Sequence, residues 1–547
     1  MISLYKNGTV HTMDPACADA EAFVVEDGRF SYVGTLAGAR DYLGKAGPAE
    51  EEVDLDGRLV LPAFNDSHMH LVHFAKSLRS VNLSGTKGID EIRRRLQAAV
   101  SRRKPGDSSW LEGEGWNQDY FEGEKRFPNK FDLDDITGDI PVLIMRACFH
   151  IGVLNSAGMR AIGLNRETAA KYGALAETLP DGEPNGIIRE NLLDTTKGRI
   201  STLTPEILRK MLLDAQERAL AQGLTCVQTD DIGYLPNFDY DMYFRLLREM
   251  TDSGELKLHI GEQCLLQTED EIETFFSKGY RCGGGTEKFR INCVKLLADG
   301  SLGARTAALR SPYYDCSETK GLAAFTQEEL NRLVSAAHRH ECPVAIHAIG
   351  DRAVEMALDA IEYARGKYPD ISVRDGIVHC QITDEKLLDR FRELDVLALV
   401  QPIFIDYDMN IVGSRVGPDL AATSYAWKSL MDRGVHVSFG TDCPVEAFNT
   451  MPNLYSAVSR RNITGGHPGE TIYLSEQRVS MEEGVRAYTM EGAYVENMEE
   501  VRGSITRGKT ADFVVLDQNL FDLSTEEEIL NTHVVRTYVD GSLVYHA

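Results

Sequence analysis

Leu59-Val60-Leu61-Pro62-Ala63-Phe64-Asn65-Asp66-Ser67-His68-Met69-His70 opens on six apolar residues and closes on two histidines separated by one residue. A near-continuous apolar run marks a strand buried on both faces, as in a parallel sheet covered by helices. Side chains at i and i+2 leave a strand on the same side, so His68 and His70 face one way. A polar pair at the C-terminal end of such a strand sits where barrel enzymes place their chemistry. The fold reading rests on whether other strands end the same way.

They do. Short apolar runs fall near residues 59–67, 225–230, 257–265, 291–298, 343–348, 376–381, 396–401 and 435–441, the eight that a closed barrel needs. Helical segments lie between them. Thr204-Pro205 starts one, with Thr as N-cap and Pro at the first helical position. Thr326 with Glu329, and Ser480 with Glu483, make capping boxes on two others. Alternating strands and helices predict an α/β chain whose main body, 59–502, is a distorted (β/α)8 TIM-type barrel. The rival is an open doubly wound sheet, but no Gly-x-Gly-x-x-Gly follows the first strand.

The chain ends differ in character. Residues 2–12 and 20–34 alternate apolar and polar around Asn7-Gly8 and Asp27-Gly28, and 534–545 does so around Asp540-Gly541. Those dipeptides favour tight hairpins, so 1–58 and 503–547 are expected to form one small β-sandwich domain. Residues 105–200 hold two further apolar runs, Trp110-Leu111-Glu112-Gly113 and Pro141-Val142-Leu143-Ile144-Met145. They are expected to form an inserted α+β subdomain over the barrel mouth, where loops carry specificity.

Four further residues share the address of the histidine pair: Lys295 in Val294-Lys295-Leu296, His347 in Ala345-Ile346-His347, His379 in Ile377-Val378-His379, and Asp442 ending Phe439-Gly440-Thr441-Asp442. Each alone has a plain structural explanation. A strand histidine is commonly a hydrogen-bonded core residue, a lysine an ion-pair partner, and a strand-end aspartate a helix cap. Their recurrence at equivalent strand ends points to one polar cluster.

Taken together with Leu61-Pro62-Ala63-Phe64, Asp299-Gly300-Ser301-Leu302-Gly303-Ala304-Arg305-Thr306, His347-Ala348-Ile349-Gly350-Asp351-Arg352-Ala353 and Gly440-Thr441-Asp442-Cys443-Pro444-Val445-Glu446, these residues resemble the amidohydrolase superfamily, in the YtcJ-like branch of the amidohydrolase-3 proteins. The resemblance runs over nearly the whole chain. It departs in Pro-Ala-Phe for the usual Pro-Gly-Phe and in Asn65 for an aliphatic residue. It implies two divalent ions, expected to be zinc: His68, His70 and Asp442 on one, His347 and His379 on the other. Lys295 would bridge them. An ammonium has no lone pair for a cation, so the implied ligand is a carbamate, Lys295 N-carboxylated by carbon dioxide. Two dications, the carbamate, Asp442 and a bridging hydroxide then sum to about +1.

The implied reaction is hydrolysis of a non-peptide C–N bond in a small-molecule amide, N-formyl or N-acyl amine. Hydroxide attacks the carbonyl, and Asp442 moves the proton to the leaving nitrogen. Trp116, His150 and Arg305 are candidate substrate contacts, weighed against a packed tryptophan, a turn cap and a structural loop. Two alternatives stand beside this reading. One is a mononuclear deaminase-type amidohydrolase, against which Lys295 argues. The other is a barrel that has lost catalysis and serves as a binding protein.

A net charge of -26 and a pI near 5.0 speak against nucleic-acid and anionic-membrane partners. The ten cysteines stand singly without Cys-x-x-Cys, and the N-terminus lacks an apolar signal core. A cytoplasmic location with reduced thiols is expected, and a homodimer is the default assembly.

Overall fold

In the computed structural model the described residues are all but Met1, 104–106, 108, 148–150, 201–202 and 465–466. They form two compact units, one of Met1–Leu71, Leu212–Gly233 and Tyr240–Ala547, the other of Val72–Met211 and Tyr234–Asp239.

The first unit holds an eight-stranded parallel sheet of β1 (Phe64–Met69), β2 (Leu224–Thr229), β3 (His259–Leu265), β4 (Phe289–Leu297), β5 (Val344–Ala348), β6 (Gly376–His379), β7 (Leu397–Val400) and β8 (Val437–Phe439), paired in chain order. This is the distorted barrel, with every expected strand in place. β8 and β1 share no strand ladder, and side chains and loop backbone bridge the gap. Thr441 N and Oγ1 donate to Asp66 Oδ1 and Oδ2 at 3.1 and 2.6 Å, Asp442 N donates to His68 O at 2.8 Å, and His70 N to Cys443 O at 2.8 Å. Gly440 permits that approach, since a Cβ there would lie 2.6 Å from His68 N.

Both chain ends build one mixed sheet in the same unit. Its path runs Ser542–His546, Val534–Val539, Phe513–Leu516, Leu59–Pro62, Ile2–His11, Asp19–Glu26, Arg29–Gly34, with Glu51–Asp54 on the far side of Ile2–His11. Phe513 is the keystone. Its ring stacks on Tyr538 at 4.3 Å and meets Tyr5 and Phe23 edge-on at 5.1 and 5.0 Å. The expected limit at residue 58 moves: Leu59–Pro62 pairs with Phe513–Leu516, and the barrel starts at Phe64. The apolar run quoted above is thus two strands joined at Ala63, because continuous burial hides the handover from one sheet to the next.

The second unit carries a six-stranded sheet, ordered Ala176–Thr178, Pro184–Arg189, Ile151–Leu154, Val142–Arg146, Leu111–Trp116, Val81–Asn82. It begins at Val72, well before the expected residue 105. The helix Ile89–Ser101 has the apolar face of a barrel helix, yet Ile92 and Leu96 pack with Leu111, Trp116 and Val142 instead. Amphipathic spacing shows that a helix covers a core but not which core.

Candidate active site

The six expected ligands come together at the C-terminal ends of β1, β4, β5, β6 and β8. His68 Nε2 and His70 Nε2 lie 3.3 and 3.0 Å from Asp442 Oδ1. Lys295 Nζ is 3.0 Å from His68 Nε2. The His379 ring meets those of His347 and His68 edge-on, with centroids 4.4 and 5.6 Å apart. His68, Lys295, His379 and Asp442 are buried, and His70 and His347 keep a small exposed surface.

The outer ring nitrogens explain the arrangement. His68 Nδ1 meets Gln263 Oε1 at 2.7 Å, His70 Nδ1 meets the carbonyl of Asp230 at 2.9 Å, and His379 Nδ1 meets Gln401 Oε1 at 2.7 Å. An oxygen acceptor obliges that nitrogen to carry the proton, which leaves the lone pair on Nε2, facing inward. His347 is turned the other way. Its Nε2 lies 3.2 Å from Gly300 O and 3.4 Å from Asp299 Oδ1, so Nε2 carries the proton and Nδ1 the lone pair. Four imidazole lone pairs and a carboxylate converging on one buried region are a donor set that suits divalent transition ions.

Burial and the close approach of these groups move their protonation in different directions. Burial, then the neighbouring Lys295, pushes His68 down to about 3. Burial acts the same way on His70, but the Asp442 carboxylate overrides it and raises the group to about 9, so a cation would gain the Nε2 lone pair by displacing the proton held there against Asp442. Asp442 is held well below the usual carboxylate range despite its burial, because the His68 and His70 rings stand beside it. Burial lowers Lys295, against the pull of Asp230 and Asp442. Two of the six residues also sit in strained backbone: His379 has φ +80° and Asp442 φ +57°, conformations that cost a non-glycine residue roughly 1–3 kcal/mol. Such strain persists where the surroundings demand a particular side-chain direction, and here both side chains aim into the cluster.

Sequence reasoning missed several residues. Asp230, directly beyond β2, puts Oδ2 3.8 Å from Lys295 Nζ, and its Oδ1 has no hydrogen-bond partner. Its strand-end position was the available signal. Asp299 accepts from the backbone N–H groups of Ala308, Ile349 and Gly350 at 2.8, 3.0 and 2.9 Å, tying the loop after β4 to the loop after β5. Gln263 and Gln401 carried no signal, since a glutamine in a strand has no metal chemistry of its own. Asn65, the departure noted above, is a buried hydrogen-bonding residue: it donates to Glu496 Oε1 at 2.6 Å and accepts from Gln228 Nε2 at 3.3 Å.

The candidate substrate contacts fare differently. Trp116 is fully buried in the core of the second unit and presents no surface to a substrate. Arg305 is committed to Asp315 through two hydrogen bonds of 3.0 and 2.9 Å, which fits the structural-loop alternative. His150 lies outside the described residues.

Among the described residues a second group, His259, Asp512 and Asp540, has ligand atoms close enough for a metal. It begins at the opposite, N-terminal end of β3. Lys288 already pairs with Asp540 and stands 3.3 Å from His259 Nε2, so a cation occupies the position in advance. Conserving stability rather than doing chemistry is the usual role of that face.

The amidohydrolase family model matches residues 51–545. The chain is 30% identical to YtcJ of Bacillus subtilis (strain 168), which carries an amidohydrolase name, over 100% of this chain and 99% of the relative. It is 26% identical to the N-substituted formamide deformylase of Arthrobacter pascens, over 98% of this chain and 97% of that protein. Among solved structures it is similar to an uncharacterized metal-dependent hydrolase from Pyrococcus furiosus, with a TM-score of 0.78 and 30% identity over 95% of this chain and 100% of that one. Strand-end cluster, barrel and full-length match agree, and the chain belongs to the amidohydrolase family, as an enzyme acting on carbon–nitrogen bonds.

Proposed function

We propose that this enzyme hydrolyses the C–N bond of a small-molecule amide, N-formyl amine or N-acyl amine with two divalent ions, zinc for preference, held at the β1–β8 strand ends. The observation that carries the reading is that each of the four imidazoles meets an oxygen through one ring nitrogen, which leaves the other nitrogen for a cation. His68, His70 and Asp442 would hold one ion, and His347 and His379 the other. Bound ions would polarise a substrate carbonyl and bring the pKa of a water towards neutrality.

The chain's own residues do the rest. Lys295 is buried and its pKa is lowered, which favours the neutral amine. That amine is nucleophilic: Nζ adds to the carbon of carbon dioxide, a proton leaves, and a carbamate anion able to bridge two cations remains. Asp442, kept ionised, accepts the proton of the attacking water and delivers it to the departing nitrogen, without which an amine leaves poorly. The formamide-cleaving relative, matched end to end, supports N-formyl and N-acyl amines as the first substrates to try. Free thiols at all nine cysteines among the described residues suit a cytoplasmic setting.

The test is amine release from a panel of N-formyl amines, N-acyl amines and simple amides, with enzyme reconstituted in zinc and bicarbonate. Hydrolysis that falls by about two to four orders of magnitude in Asp442→Asn is expected. Activity confined to ammonia release from cyclic amidines would favour the deaminase alternative instead.

A further inference from the structure

We infer that Gln263 and Gln401 are positioning residues, each fixing the tautomer of one imidazole and thereby the affinity of one ion. The inference rests on the two-ion reading above but concerns side chains that touch no ion.

Gln263 lies on β3 and Gln401 immediately beyond β7, and both are buried, 1% and 3% exposed. Each amide is locked by its own nitrogen. Gln263 Nε2 donates to Ser67 O at 3.0 Å, and Gln401 Nε2 donates to Leu399 O at 3.2 Å. Neither amide can flip without setting its nitrogen against a ring N–H and its oxygen against a carbonyl. Oε1 is therefore the atom offered to His68 Nδ1 and to His379 Nδ1, at 2.7 Å in both cases. An amide oxygen only accepts, so the proton stays on Nδ1 and the lone pair stays on Nε2.

The two glutamines serve different ends of the cluster. His68 shares Asp442 with His70, while His379 packs against His347. The other two imidazoles meet backbone carbonyls, of Asp230 and Gly300, which no substitution removes, and His347 has the charged Asp299 Oδ1 beside it at 3.4 Å as well. Gln263 and Gln401 are thus the neutral side-chain handles on the two halves. Being neutral, an amide adds no charge to a buried region that already holds Asp442 and Asp230. Replacing it with leucine leaves Nδ1–H unpaired in a dry environment and lets the proton move to Nε2, where it blocks the metal.

The experiment is competition of zinc between a chromogenic chelator and the metal-free full-length protein, as wild type, Gln263→Leu, Gln401→Leu, Gln263→Glu and Gln401→Glu. Thermal midpoints of the metal-free forms verify folding. Each leucine variant is expected to bind one of its two ions about 10–100-fold more weakly and to keep the other near wild-type affinity. Each glutamate variant, which retains an acceptor oxygen, is expected to recover most of the loss. Leucine variants that bind both ions as wild type does would overturn the inference. Equal loss in leucine and glutamate variants would also overturn it, since that is the mark of packing alone. If wild type takes up a single ion, the two-ion reading fails by itself. Weaker uptake of that ion in Gln263→Leu then still upholds the role of Gln263, and unchanged uptake removes it.

Discussion

Asp408 illustrates how far a single side chain's surroundings can move its chemistry. Its carboxylate accepts from Tyr425 Oη at 2.5 Å, yet burial raises its pKa to about 6. The folded protein therefore holds the proton more tightly than the unfolded chain. The stabilisation is complete below the unfolded value near 3.8 and is lost as pH rises to about 6. Asp408→Asn, which keeps an acceptor for Tyr425, should match wild type near pH 4 and gain on it between pH 4 and 6. The gain should level off above that, at up to about 2–3 kcal/mol. Thermal midpoints of the two proteins across that range check this, and a constant difference would refute it. At the same scale the sequence made His68, His70, Lys295, His347, His379 and Asp442 legible, because ligating residue types at strand ends announce themselves. Asp230 shared that address but stands beside a second aspartate, Asp231, and reads as an ordinary strand exit. Gln263 and Gln401 were not legible, because their role depends on what lies across the barrel and not on their own chemistry.

Elements are joined in this fold by a few polar seams that no periodicity reveals. The barrel closes between β8 and β1 through Asp66 and Thr441, not through a ladder. Thr441→Val removes one hydroxyl donor to a buried carboxylate and should cost about 1–3 kcal/mol, read by chemical denaturation of the metal-free protein. A cost near zero would mean the Asp442–His68 and His70–Cys443 backbone bonds suffice. Asp299 performs the same service between the loops after β4 and β5. Phe513→Ala should cost about 3–5 kcal/mol, for the ring fills the centre of the terminal sheet's aromatic core. All eight barrel strands and the three capped helices were readable, since burial on both faces and capping chemistry are local properties. Two boundaries were not. Pro62–Phe64 changes sheets within one apolar run, and the helix Ile89–Ser101 covers the core of the second unit while looking like a barrel helix.

For the whole molecule, the arrangement binds chain ends, barrel and site into one chemical proposition. Strands from residues 2–62 and 513–546 form a shared sheet, so the first proposed ligands, His68 and His70, follow it by a few residues. Metal binding should therefore be felt as global stability. Chelation is expected to lower the thermal midpoint, and excess zinc to restore it by the mass-action term of a ligand that binds only the folded state. An unchanged midpoint would mean that the cluster is already satisfied without ions. The central claim, that Lys295 completes a two-ion centre, is tested most directly by metal content per chain, measured with and without bicarbonate in wild type and in Lys295→Ala. The account predicts about two ions in wild type, more complete occupancy with bicarbonate, and a clear fall in the variant. One ion per chain, indifferent to bicarbonate and to the loss of Lys295, would contradict it.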